Sequence, residues 1–168
     1  IIKLIANRLM PTPKIIHQPI THHAIQNGVT KIVNAIRPTL GPLPRYLVYM
    51  KDKKLEILDD GGIIARRIIQ VDNRYEDVGA MLLRQVLWQV NQQVGDGTAT
   101  AAVLYEAVYN EGLRYIAAGV NPMQLREHLM QALQYLSDLM MAHRKVITDY
   151  ESLKSIAYSV CYDRDMAD

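Results

Sequence analysis

Val94-Gly95-Asp96-Gly97-Thr98-Ala99-Thr100 separates two long helical patterns, and the rest of the chain is read outward from it. Its glycines allow a sharp backbone turn and leave room for a ligand to approach the main chain. The helix that follows offers unpaired N–H groups and the positive end of its dipole, which suits phosphate. Thr98 and Thr100 add hydroxyl donors, and Asp96 is a hard oxygen ligand of the kind that holds Mg2+ against phosphate. No lysine follows the second glycine, so the stretch is not a P-loop. Asp and Thr also cap helices well, and on spacing alone a plain helix start is the simpler reading.

Upstream of this turn, Asn73-Arg74-Tyr75-Glu76 has the spacing of a capping box, with Asn accepting and Glu reaching back. The helix it opens carries Val78, Leu82, Val86, Val90 and Val94, four apart, which predicts one apolar stripe. Downstream, a helix running to Ala118 is apolar nearly all round and is expected to be central. Gly119 supplies its C-terminal cap, and Asn121-Pro122 starts the next helix with a cap residue and a proline at the first position. Leu125, Leu129, Leu133, Leu136 and Met140 form that helix's stripe, and a last helix is expected from Asp149. Met140-Met141 and the helical tyrosines read as core and rim.

Nearer the front, Ala24, Ile25, Val29, Ile32, Val33 and Ile36 recur at helical spacing over residues 21–37. Pro38 ends that helix, and Gly41-Pro42-Leu43-Pro44 is a stiff loop. Two β-prone runs, 46–50 and 55–58, flank a charged turn and predict a hairpin. Asp60 then caps a short helix through Ile69. Residues 1–13 read as an extension, because Pro11-Thr12-Pro13 cannot sit inside a helix. The fold class expected is mainly α, a multi-helix bundle with one small hairpin.

Bulk composition narrows the function classes. The 168 residues are 49% hydrophobic and 21% charged, enough apolar material for a packed core. A net charge of +2 with no dense Lys/Arg patch argues against nucleic acid as a partner, and no run of about 18 apolar residues predicts a membrane span. Cys161 is the sole cysteine, which forbids an internal disulfide and fits a reducing compartment. The first residue is Ile1 rather than Met, so preceding residues are expected. His17, His22 and His23 lie close in sequence but lack the further ligands of a zinc site and are expected at the surface.

Two further loops carry chemistry. Pro38-Thr39-Leu40-Gly41-Pro42 is a rigid turn whose backbone could lie along a ribose or base. Leu58-Asp59-Asp60-Gly61-Gly62 sets two carboxylates beside glycines at a helix start, where one could orient water or bind a cation, or simply cap the helix.

Thr39-Leu40-Gly41-Pro42, Asp60-Gly61 with Ala65-Arg66 behind it, Gly95 to Thr100, and Glu111-Gly112-Leu113 through Ala117-Ala118-Gly119-Val120-Asn121-Pro122-Met123 resemble, in order and spacing, the start of the group I chaperonins (the GroEL family). The resemblance runs from about residue 14 onward and is closest over 75–123. It implies that 14–142 form the N-terminal half of an equatorial, nucleotide-binding domain and that 143–168 begin an intermediate domain. The ligand it implies is ATP or ADP with Mg2+, and K+ as a further ion. Thr39, Leu40, Gly41 and Pro42 would line the nucleotide, Asp96 would carry Mg2+, and Gly97, Thr98, Ala99 and Thr100 would cradle phosphates. Asp60 would be catalytic, beside the reacting phosphate.

The same resemblance implies a cytoplasmic, homo-oligomeric ring of chaperonin subunits that assists protein folding, with the hairpin 46–58 pairing with a neighbour. Unfolded client proteins would be gripped by segments outside this sequence, and a co-chaperonin would be a further partner. ATP hydrolysis is expected only in the complete subunit, because the carboxylate that activates the attacking water comes from a later segment. Three departures stand out. Leu43-Pro44-Arg45 replaces the usual Lys-Gly-Arg, Asp59 stands where Lys or Asn is usual, and Ala99 replaces the middle threonine of three. They keep open an alternative, a diverged chaperonin-like scaffold without nucleotide turnover. A third reading is a helical interaction module whose Gly-Asp-Gly is only a cap.

Overall fold

A run of β-branched residues at helical spacing gives the chain its first helix, α1 (Ile20–Ile36), which buries Val29, Ile32, Val33 and Ile36 along one face. In this computed structural model the described residues are 15, 17–41, 45–51, 54–68 and 70–161. The expected extension over 1–13, the Pro42-Leu43-Pro44 part of the stiff loop and the Asp52-Lys53 turn lie outside them. The chain divides into two units, Ile1–Gly119 and Val120–Asp168.

In the first unit α1 is followed by a 3-10 turn (Arg37–Thr39), β1 (Leu47–Lys51), β2 (Lys54–Leu58), α2 (Gly61–Arg67), α3 (Arg74–Gln93) and α4 (Thr98–Ala117). The main packing is α1 on α3, and glycines decide how near the two come. A β-carbon on Gly28 would run into the Glu76 backbone, and one on Gly79 would lie 2.1 Å from the Ile25 carbonyl oxygen. Ala80, Leu83 and Leu87 of α3 complete the contact, joined by Ile64 and Ala65 of α2 and Ala102 of α4. Each fully buried Ile or Leu contributes roughly 1.5–3 kcal/mol.

The apolar stripe expected on α3 is not the buried one. Val78, Leu82 and Val94 are exposed, whereas Glu76, Gly79, Ala80, Leu83 and Leu87 face inward. The inner face is instead the parallel row of Gly79, Leu83 and Leu87, one residue on and so about 100° round the helix from Val78 and Leu82. Close backbone approach at Gly79 fixes which side points in. Likewise α4 is not enclosed all round. It buries Thr98, Ala102 and Glu106, one narrow row, while Leu104 and Val108 are exposed.

Start and stop signals follow the sequence more closely. Asn73 Oδ1 accepts from the Tyr75 N–H at 3.0 Å, and its amide donates to Glu76 Oε1 at 3.3 Å. Glu76 thus meets the cap's side chain rather than its backbone. The hairpin pairs antiparallel, with Val48 opposite Ile57 and Met50 opposite Leu55. The strands take in Lys51 and Lys54, so the turn is shorter than the four residues expected. Leu58, Leu47 and Tyr49 join the core, and Arg67 Nε meets Glu56 Oε2 at 2.7 Å, tying α2 to β2.

The second unit holds α5 (Pro122–His143) and α6 (Tyr150–Cys161). Asn121 Oδ1 accepts from the Met123 N–H at 2.8 Å, with Pro122 in the first turn, and Asp149 Oδ2 accepts from the Ser152 N–H at 2.8 Å. Those bonds from Ser152 hold the Asp149 carboxyl below the ordinary carboxylate range. No residue of α5 is buried, and Met140 and Met141 are exposed rather than core. Among the described residues no helix is long and apolar enough to cross a membrane.

Candidate functional site

Three segments far apart in sequence line one cleft of about 240 Å³. The first wall is Thr39, Leu40 and Gly41, the second is Asp59, Asp60 and Gly61, and the third runs from Asp96 through Thr100. Every described residue expected to bind a nucleotide or metal is therefore in one place; Pro42 lies outside the described residues.

Each wall is set by local chemistry. After α1, Pro38 prevents a further regular turn, and the chain tightens into the 3-10 turn, with the Leu40 N–H donating to the Arg37 carbonyl at 3.1 Å. The Thr39 hydroxyl donates to the Ile36 carbonyl at 2.8 Å. Gly41 follows at φ +114°, a conformation that side chains rarely adopt.

Asp60 caps α2: its Oδ1 accepts from the Ile63 N–H at 2.7 Å. Beside it, Gly61 is wedged in. A β-carbon there would lie 2.9 Å from Ile36 Cγ2, 3.3 Å from the Ala99 nitrogen and 3.4 Å from Ala99 Cβ. Gly62 is equally confined, its missing β-carbon 2.9 Å from Asn91 Nδ2. The Gly61-Gly62 pair thus lets α2 start directly against the end of α1, the end of α3 and the start of α4. That close fit was hidden in the sequence; two adjacent glycines at a helix start were its one outward sign.

The third wall is a bare helix end. Gly97 occupies the N-cap in the left-handed region (φ +77°), and no side chain caps the helix. The first intrahelical bond runs from the Ala101 N–H to the Gly97 carbonyl, so the N–H groups of Thr98, Ala99 and Thr100 have no acceptor within the helix. Asp96 does not cap α4 but turns Oδ1 onto the Gly97 N–H at 2.6 Å, leaving its second carboxylate oxygen out of that bond. Nothing lies within 4 Å of where β-carbons on Gly41, Gly95 or Gly97 would be. A ligand can therefore approach backbone directly at all three.

The cleft combines donors for an anion, in a helix terminus with its dipole, with carboxylates at Asp59, Asp60 and Asp96. Donors and acids together match a phosphate that brings its own cation; the acids would repel a bare polyanion. The residues present thus fit a magnesium-bound phosphate.

A larger cleft of about 570 Å³ lies beside α2 and α3, lined by Val78, Met81, Leu82 and Trp88. It is mostly apolar, and two of its polar groups are engaged, Arg84 Nε with the Ala65 carbonyl and Asp77 Oδ1 with the Val71 N–H. Chemistry favours the smaller cleft. His17 and His23 are exposed, and among the described residues no group of three or more His, Cys, Asp or Glu is placed to hold a metal.

Comparison with known proteins identifies the family. A profile of the TCP-1/cpn60 chaperonin family matches residues 32–163. Chaperonin GroEL 3 of Acaryochloris marina (strain MBIC 11017) is 40% identical over 135 residues, covering 80% of this chain and 25% of that protein. In three dimensions the chain is similar to the chaperonin gp146 of bacteriophage EL 2 (Pseudomonas aeruginosa), with a TM-score of 0.73 over 90% of this chain and 27% of that one. At 15% identity the latter is a likeness of fold. The chain spans about a quarter of the length of these relatives. Its profile match extends over most of the sequence and its helices follow the fold of a chaperonin equatorial domain; the chain belongs to the TCP-1/cpn60 chaperonin family, as a GroEL-type member.

Proposed function

We propose that the cleft binds ATP or ADP with Mg2+, and that the chain is the nucleotide-binding part of a chaperonin subunit that works in a ring and assists protein folding. The observation that carries this reading is the convergence of Thr39–Gly41, Asp59–Gly61 and Asp96–Thr100 on one cleft with an uncapped helix end. The related phage chaperonin was crystallised in the presence of ATP-BeFx, which supports a nucleotide as the ligand.

Each group then has a role. The free N–H groups of Thr98, Ala99 and Thr100 receive phosphate oxygens, and the Thr98 and Thr100 hydroxyls add donors. Asp96, anchored through one oxygen, offers the other to Mg2+; when bound, that ion neutralises phosphate charge and orients the chain of oxygens. The turn at Thr39, Leu40 and Gly41 presents backbone to the nucleoside. Asp60, held by its cap bond to Ile63, would keep a carboxylate beside the reacting phosphate.

Ring assembly is supported by the hairpin. Val48, Met50, Leu55 and Ile57 are 59%, 72%, 63% and 65% exposed and stand cross-strand from one another, an apolar face that suits a neighbouring subunit. The reducing interior of a cell, and so the cytoplasm, fits a chain with Cys161 as its one cysteine.

Calorimetry and thermal unfolding of the 168-residue chain with Mg-ADP test the nucleotide. A ligand at about 100 times its Kd stabilises by about 2.7 kcal/mol, which raises the Tm by several degrees. Asp96→Ala is expected to abolish most of that rise. No heat and no Tm shift at millimolar Mg-ADP would remove this reading and leave shared ancestry without nucleotide chemistry.

A further inference from the structure

Glu106 is a buried acid that the cleft does not use. It lies on the inward row of α4, 7% exposed, and its Oε2 pairs with Nη2 of Arg37. Eight residues separate Glu106 from Thr98, about 12 Å along the helix. Neither Arg37 nor Glu106 lines the cleft.

Their pairing nevertheless joins two of its walls. Arg37 is the first residue of the 3-10 turn, and its carbonyl accepts the Leu40 N–H. The next carbonyl, that of Pro38, accepts the Arg45 N–H at 3.0 Å, closing the loop that carries Thr39, Leu40 and Gly41. The turn's other side-chain bond, from Thr39 to Ile36, is local and holds the turn only to its own helix. The Arg37 guanidinium instead reaches across to α4, whose N-terminus forms the facing wall. The Glu106 carboxylate is buried while the Arg37 side chain is half-exposed, so losing the cation would leave a largely desolvated charge just beneath the surface. The constraint therefore acts on the turn: α4 is fixed by its packing, and Arg37 is drawn to it.

We infer that Arg37 and Glu106 are positioning residues, a brace that sets the distance between the Thr39–Gly41 turn and the start of α4 and thereby the affinity of the cleft for phosphate. This rests on the nucleotide reading of the cleft given above. Displacing a binding wall by about 1 Å is enough to change affinity or rate by an order of magnitude or more.

The test uses two readouts on the 168-residue chain. Without ligand, amide hydrogen exchange at Leu40 and Arg45 reports whether the turn is held, with Ala102 on α4 as the reference. With ligand, calorimetry gives the Mg-ADP affinity. Arg37→Ala and the shape-preserving Glu106→Gln are each expected to speed exchange at Leu40 and Arg45 about tenfold relative to Ala102, and to weaken Mg-ADP about tenfold. Arg37→Lys, which keeps the charge but not the planar fork, is expected to recover part of both.

A merely structural pair would loosen Leu40, Arg45 and Ala102 together, and that outcome overturns the proposal. Normal exchange at the turn overturns it too, as does looser exchange with unchanged Mg-ADP affinity. If the unsubstituted chain binds no Mg-ADP while Arg37→Ala still loosens the turn alone, the nucleotide reading falls and the brace remains.

Discussion

Gly28 of α1 faces the backbone of Glu76 on α3 so closely that a β-carbon at position 28 would lie 1.8 Å from the Glu76 carbonyl oxygen. Neither partner can give way, because both are main chain inside regular helices. Gly28→Ala would gain about 1 kcal/mol of helix propensity, yet overpacking costs about 3 kcal/mol when backbone meets backbone. A net loss of about 2 kcal/mol is expected, read as a lower urea midpoint with an unchanged slope. Wild-type stability for this variant would show that the helices can separate freely.

Glu76 also gives the chain a pH dependence. Its carboxyl is held below the ordinary value of 4.5, first by the hydrogen bond from Lys31 and also by that cation's charge and by Asn27 and Asn73, against an opposing effect of burial. The Lys31 Nζ to Glu76 Oε2 distance is 2.6 Å. Because the folded value is depressed, this contribution is complete above 4.5 and disappears as pH falls through the lower, folded value. Glu76→Gln is therefore expected to show a flatter Tm profile than the wild type in acid. Parallel profiles would mean that other groups govern acid unfolding.

At Asp60, capping and charge can be separated. Asp60→Ala removes the acceptor for the Ile63 N–H and is expected to cost about 1 kcal/mol. Asp60→Asn keeps an acceptor there and should stay within a few tenths of a kcal/mol of wild type. Chemical denaturation of the two variants compares them directly. Equal losses would show that the carboxylate charge, not the cap, stabilises α2.

Asp59 adds a negative charge to the cleft proposed to receive phosphate. Asp59→Lys is expected to tighten Mg-ADP binding several-fold at low ionic strength, with the gain shrinking as salt screens it. Calorimetry at two salt concentrations reads this. An affinity that does not move at low salt rules out Asp59 as a determinant.

The hairpin face is tested by Val48→Lys with Ile57→Lys, opposite one another in the register. Any self-association of the chain in sedimentation velocity is expected to weaken, while far-ultraviolet circular dichroism stays unchanged. Association as strong as before would place the subunit contact elsewhere.

Much of the fold was legible because its signals are local. Asn73, Asn121, Asp149 and Asp60 mark helix starts through side-chain caps, and Gly97 and Gly119 mark boundaries through positive φ. The members of the cleft were also readable one by one, since glycines and acids beside helix ends have a distinct chemistry. What the sequence concealed is which faces meet. On α3 a row of valines and leucines four apart outshone the true inner face, where Gly79 and Glu76 do not register as hydrophobic. Gly28 likewise looks like a weak point in a helix until Glu76 is placed against it. The partnership of Arg37 with Glu106 spans 69 residues, and no local pattern predicts it.

The missing side chain at Gly61 has a mechanical consequence. A β-carbon there would press on Ile36 on one side and Ala99 on the other, so this wall of the cleft and the end of α1 pack together with no room to spare. Densely packed interiors compress little, and a squeeze applied by the proposed ligand at Thr39 or Thr98 would be handed on to Ile36 as stress. Occupancy of the cleft by the proposed ligand would thereby be felt inside the molecule.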